Sequence, residues 1–197
     1  ELPIRRLEGR SMVTHQTTAS EQTDQELVSA FIRKRDQGAF RVLVERYQPM
    51  VFGVAKRMLG CPHAAEDVLQ ATFLVLAKDA RKIRNRKSLA SWLYGITFRI
   101  AARVAKQRAR TPVSTLENEV MVTADPLETL SERFEQNVVF EELHNLPESM
   151  RTPMVLRYMQ GKSNAEVADE LQISESAIEG RLKRGRNQLR MRLARHG

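Results

Sequence analysis

Apolar side chains recur along this chain at steps of three and four, the period of a helix that buries one face, and no strand-like alternation runs long enough to compete. The pattern begins at Thr23. Thr23 with Glu26 three residues on is a capping box, Leu27, Ala30 and Phe31 follow on one face, and Gly38 is expected to break the segment. Phe40, Leu43, Val44, Tyr47, Val51, Val54, Ala55, Met58 and Leu59 predict a longer helix. Pro49 lies inside it and cannot donate a backbone hydrogen bond, so a kink or local break is expected near residue 48. Gly60-Cys61-Pro62 ends that helix, and Pro62 opens the next one, with Ala65, Leu69, Phe73, Leu76 and Ala80 on one side. Ile83–Lys87 reads as a loop and Ser88 as an N-cap. The helix that follows, from Leu89 to about Arg108, has Leu93, Ile96, Ile100 and Val104 as its apolar stripe and stops at Thr111-Pro112.

Residues 112–125 show no sustained period. Asp125-Pro126-Leu127-Glu128 restarts a helix that carries Leu127, Leu130, Phe134 and Val138 towards Leu143. Leu146-Pro147 begins another, with Met150, Met154, Val155 and Tyr158 as its apolar side and Gly161 as its stop. Ser163 and Glu166 make a second capping box before a short helix to Leu171, and Ser174 caps a last helix reaching Leu193. The predicted fold is therefore all-α. Two small helical domains, 24–110 and 128–197, are joined by a linker at 111–127 and preceded by a disordered tail at 1–23. Met12 is a candidate native initiator, with residues 1–11 a cloning remnant.

The last two helices have the makings of a helix-turn-helix. Val167, Leu171, Ile173, Ile178 and Leu182 are spaced to form its small core, and Ala168 is small where the second helix crosses. Gln172 replaces the usual turn glycine; a positive φ there costs a non-glycine residue about 1 kcal/mol. In such a motif the N-terminal end of the second helix reaches base edges, which here means Glu175, Ser176, Glu179 and Arg181. Lys183, Arg184, Arg186 and Arg190 would hold phosphates. The plainer reading of this stretch is an amphipathic bundle helix with a basic outer face.

Charge sharpens the picture. The net of +8 over 197 residues conceals ten cations and no acid in residues 81–110, a net of −7 in 111–146 and +5 in 174–197. A face of ten cations repels itself unless something anionic lies on it. In the first basic block the cations interleave with rings: Arg84, Arg86, Lys87, Trp92, Tyr94, Phe98, Arg99, Arg103 and Lys106. That mixture suits single-stranded or melted nucleic acid. Trp92 and Tyr94 are two apart and cannot share a helix face, so one belongs to the core, the commoner fate of a lone Trp. No apolar run approaches a membrane span, and neither basic segment has the form of a membrane anchor. One cysteine, Cys61, excludes an internal disulfide framework and fits a reducing cytosol. Cys61 and His63 are the one close soft-ligand pair, which leaves no metal or cofactor site to expect and a poor stock for catalysis.

The order and spacing of several strings resemble the extracytoplasmic-function (ECF) sigma factors, initiation subunits of bacterial RNA polymerase. They are Gly38-Ala39-Phe40 with Tyr47, Ala65 to Phe73, Ser91-Trp92-Leu93-Tyr94-Gly95-Ile96, Leu146-Pro147, Arg151, Leu156-Arg157, Gly161-Lys162-Ser163, Glu166-Val167-Ala168 and the Arg-rich last helix. The resemblance covers residues 24–195. It implies that Glu66, Asp67 and Gln70 dock on the clamp helices of the polymerase. It implies that Arg84, Asn85, Lys87, Trp92, Arg99, Arg103 and Lys106 open and bind the −10 element, and that the last helix reads the −35 element. Many members carry Asn where this chain has Arg99. The implied partners are core RNA polymerase and promoter DNA, with an anti-sigma factor as a further candidate and no small-molecule substrate. The alternative is a free-standing helix-turn-helix regulator with a dimerising or sensing N-terminal domain, which gives no reason for the first basic block.

Overall fold

The computed structural model describes residues 22–83, 89–110 and 137–196, and every regular element among them is helical. Helix α1 (Asp24–Lys34) starts at the expected capping box: the Thr23 side chain accepts from the Glu26 amide while the Glu26 carboxylate accepts from the Thr23 amide. It buries Leu27, Val28 and Phe31. The break that follows comes at Arg35, which takes the left-handed conformation (φ 54°), and not at Gly38. Asp36 then caps α2 (Gln37–Leu59) by accepting from the Ala39 amide at 3.1 Å. Gly38 lies in the first turn of α2, where a Cβ would come within 3.1 Å of that capping carboxylate.

Helix α2 is the centre of the N-terminal group and packs on α1, α3 and α4. It continues through Pro49 without the expected break. A proline inside a helix costs about 3 kcal/mol. Tyr47, Met50, Val51 and Val54 are all buried on either side of it, and at roughly 1.5–3 kcal/mol per buried apolar side chain their packing outweighs that cost. Gly60 closes α2 in the left-handed conformation, and Pro62 opens α3 (Pro62–Asp79) as expected. A 3₁₀ turn (Ala80–Lys82) leads to the buried Ile83. Helices α3 and α4 (Leu89–Arg110) meet at two fully buried threonines. The Thr72 and Thr97 hydroxyls satisfy themselves on the carbonyls of Val68 and Leu93, four residues back, at 2.7 and 2.8 Å.

The buried face of α4 is rotated from the expected stripe. Leu89, Ala90, Ser91, Leu93, Tyr94, Gly95, Thr97 and Ala101 are buried, whereas Ile96, Ile100 and Val104 are half-buried. The reason is a second set of helices on α4's other flank. Residues 137–144 are helical (α5), followed by α6 (Glu148–Met159), α7 (Asn164–Leu171) and α8 (Glu175–Leu193). Tyr94 is completely buried and its hydroxyl donates to the Phe140 carbonyl at 2.7 Å. Burial pushes the Tyr94 phenol well above its ordinary pKa, so it stays a donor. Phe98 stacks on the His144 ring, with centroids 4.4 Å apart. Arg151 ties the seam: its Nε donates to Ser91 Oγ at 3.3 Å and its Nη1 to the His144 carbonyl at 2.7 Å, at the end of α5. Burial, then the Arg151 and Arg99 guanidiniums, hold the His144 pKa below its usual value. One apolar core therefore runs from α2 through α4 into α5 and α6.

The expectations for the Ser88 cap, the linker at 111–127, the restart at Asp125, and Leu127, Leu130 and Phe134 lie outside the described residues.

Candidate nucleic-acid interfaces

Helices α7 and α8 form the expected helix-turn-helix. Ser163 and Glu166 make the capping box of α7, with the Glu166 carboxylate accepting from the Ser163 amide at 2.7 Å. Hydrogen bonds to the carboxylate from the Ser163 amide, and then from the Ser163 side chain, draw the Glu166 pKa below its usual value. The turn is made at Gln172 in the left-handed conformation (φ 55°), and its neighbour Ile173 donates to the Ala168 carbonyl at 3.0 Å. Ser174 then caps α8 through the Ala177 amide. Val167, Ala168, Ile178 and Leu182 are buried between the two helices, and Leu171 and Ile173 close the edge. Helix α6 crosses α8 so tightly that a Cβ on Gly185 would stand 2.6 Å from Met154 Sδ. A side chain there would force the Met154 thioether to shift.

Burial of one side of α8 fixes which residues face out. Glu175, Ser176, Glu179, Lys183, Arg184, Arg186, Asn187 and Arg190 are exposed. Arg181, expected among the base readers, is half-buried, three residues after buried Ile178 and four before buried Gly185. At about 100° per residue, the face opposite the core centres on Ser176, Gly180, Lys183 and Asn187. Arg192 is drawn away from this face: it pairs with Glu142 on α5 at 3.2 Å, and His196 reaches the same carboxylate at 3.0 Å. The hydrogen bond from His196, with help from Arg192, lowers the Glu142 pKa.

On α4, Arg99, Arg103 and Lys106 are exposed and Trp92 is half-buried, so it is Tyr94 that belongs to the core. Steps of seven, four and three put Trp92, Arg99, Arg103 and Lys106 within about 60° of one another around the helix. They form one cationic face with a ring at its N-terminal end. Gly95 borders this face. A Cβ there would meet Arg99 Nη1 at 3.6 Å and His144 Cε1 at 3.7 Å, so α5 abuts the edge of the face. Arg84, Asn85 and Lys87 lie outside the described residues.

On α3, Glu66, Asp67 and Gln70 are exposed side by side, as expected. The structure adds Leu74, one turn beyond Gln70 and 70% exposed. In the sequence Leu74 is hidden inside an apolar string; its four-residue offset from Gln70 is the signal that places it on the polar face. Among the described residues, no helix is long and apolar enough to cross a membrane.

Comparison with known proteins agrees with this layout. Residues 43–111 match the family model for sigma-70 region 2, and residues 137–189 match that for sigma-70 region 4. The ECF RNA polymerase sigma-E factor of Haemophilus influenzae is 28% identical over 87% of this chain and 95% of its own length. The ECF RNA polymerase sigma factor SigW of Bacillus subtilis is 27% identical over 82% of this chain and 92% of its own. The sigma-E factor of Salmonella typhimurium is 30% identical over 83% and 91%. Two family regions in order, on a fold with a helix-turn-helix and a second cationic face, leave the free-standing regulator without support: the chain belongs to the ECF group of the sigma-70 family and is an RNA polymerase sigma factor.

Proposed function

We propose that three exposed faces divide the work of initiation. The α8 face around Ser176, Glu179, Lys183 and Arg184 enters the major groove of the −35 element, with Glu175, Ser176 and Glu179 towards base edges and the cations on phosphates. The α4 face of Trp92, Arg99, Arg103 and Lys106, together with Arg84, Asn85 and Lys87, holds the −10 element as its strands part. The α3 face of Glu66, Asp67, Gln70 and Leu74 docks on core polymerase. The chemistry of RNA synthesis stays with the polymerase, and the protein acts in the cytoplasm. The observation that carries this reading is the exposed cation run on α8, whose core side is closed by Ile178, Leu182 and Gly185.

The docking face is tested by affinity for core polymerase. Asp67→Ala with Gln70→Ala is expected to weaken binding at least tenfold, since interface hot spots cost more than about 1 kcal/mol each. Leu74→Ala adds a further loss through its lost apolar contact. All three side chains are exposed, so the thermal midpoint should hold. Unchanged polymerase affinity in the triple variant would remove the α3 assignment.

A further inference from the structure

Tyr158 was expected on the apolar side of α6, one turn after Met154. It is instead 55% exposed. Met154, one turn earlier, meets Gly185 at the crossing of α6 and α8. A depression of about 550 Å³ opens between them. Tyr158, Asn164, Gly180, Lys183 and Arg186 are among the residues that line it, with the base-facing Ser176 and Glu179 on the same side. At its rim the Arg186 Nη1 donates to the Tyr158 hydroxyl at 2.9 Å.

We propose that Tyr158 is a positioning residue for DNA binding, holding the Arg186 guanidinium against a backbone phosphate of the −35 duplex. The inference rests on the reading of α8 as the groove-entering helix. Three features support it. First, among the described residues Arg186 takes part in no ion pair. Its contact in the protein is a neutral phenol, which orders the side chain and leaves its full charge for an external anion. Second, a guanidinium has five N–H donors in a rigid fork. One bond to Tyr158 leaves the others to grip phosphate oxygens. Third, Arg186 lies ten residues beyond Ser176, about 15 Å further along the helix. The N-terminal residues of a recognition helix touch base edges; a cation that far along meets the strand at the rim of the groove. An unheld arginine loses up to about 2 kcal/mol of rotamer freedom when it binds. The Tyr158 hydrogen bond settles part of that ordering before DNA arrives.

The test uses holoenzyme assembled from core polymerase and the full chain, bound to a promoter fragment over a series of salt concentrations. Tyr158→Phe is expected to weaken binding about threefold to tenfold, equally on the promoter and on its −35 variants, with an unchanged thermal midpoint. Arg186→Ala should weaken it more and lower the salt slope by about one. The double variant should bind as Arg186→Ala does, because Tyr158 acts through Arg186. Wild-type affinity for Tyr158→Phe overturns the proposal, and so does a further loss when it is added to Arg186→Ala. Lys183→Ala with Arg184→Ala separates the two levels. If that pair leaves binding unchanged, the reading of α8 fails. If it weakens binding and Tyr158→Phe does not, the phosphate clamp alone is wrong.

Discussion

Lys183→Ala combined with Arg184→Ala should weaken the promoter complex roughly thirtyfold near 0.15 M salt and flatten its salt dependence by about two. The size follows from counterion release. Each phosphate neutralised contributes about 0.9 to the slope of log K against log salt, and at roughly 0.15 M two such contacts amount to about 1.5 decades. Both side chains are exposed, so folding stability should move by no more than about 0.5 kcal/mol. The loss should be the same for every −35 sequence, because phosphate contacts position the helix and carry no base information. Arg192 is the internal control. It carries the same charge on the same helix but is held by Glu142, so Arg192→Ala should leave the salt slope unchanged. Titration of labelled promoter with holoenzyme measures all of these. A loss confined to one base pair would mean that the pair reads sequence, against this assignment.

The second large effect is a separation of the two helical groups. In the structure they are joined at Tyr94–Phe140, Phe98–His144 and Ser91–Arg151. Asp24, bonded to Arg46 and Tyr47, and the Lys162–Glu170 pair line a shared cleft of about 700 Å³. Burial raises the Glu170 pKa, and Asp24 adds to the rise against the pull of Lys162. Elements named for positions −10 and −35 are centred about 25 base pairs apart, which at about 3.4 Å per pair is roughly 85 Å of duplex. Groups in van der Waals contact cannot sit on both. The seam also covers Phe98 and abuts Arg99 at the edge of the α4 face. If the α4 and α8 faces take these two elements as proposed, the contact opens when the promoter is engaged. With fluorophores on cysteines at exposed Glu45 and Arg195 in a Cys61→Ala background, energy transfer should be present in the free protein and collapse in the holoenzyme–promoter complex. Transfer that stays unchanged through complex formation would contradict this. The seam should also loosen in acid. The His144 pKa is depressed in the folded chain, so the unfolded or open chain binds more protons. Stability that is full above the ordinary His value of about 6.5 is lost as pH falls below it towards the depressed value.

The parts of this structure that sequence reasoning reached are those written locally. Both capping boxes, the Ser174 cap, Pro62 at a helix start and the left-handed Gln172 turn each depend on a few adjacent residues, and each stands where expected. The exposed α3 trio and most of the α8 face follow from helical spacing alone. The misses are tertiary. Gly38 is the breaker that the spacing suggests, but the αL turn at Arg35 and the Asp36 cap decide where the chain reverses. Pro49 lacks an amide proton, yet burial around it keeps α2 whole. The face of α4 is set by α5 and α6 arriving from more than forty residues away, which buries Ser91, Tyr94 and Gly95. Tyr158, expected on the apolar side of α6, is exposed beside Arg186 of α8.

As a sigma factor, this chain makes core polymerase start at chosen promoters. This is tested most directly by transcription of the source organism's genomic fragments in vitro, with its core polymerase, with and without the protein, and sequencing of the 5′ ends. A set of new start sites should appear only with the protein and share paired −35 and −10 motifs. They should be lost with Lys183→Ala/Arg184→Ala and with Asp67→Ala/Gln70→Ala. Start sites identical with and without the protein, together with specific duplex binding by the protein alone, would contradict it.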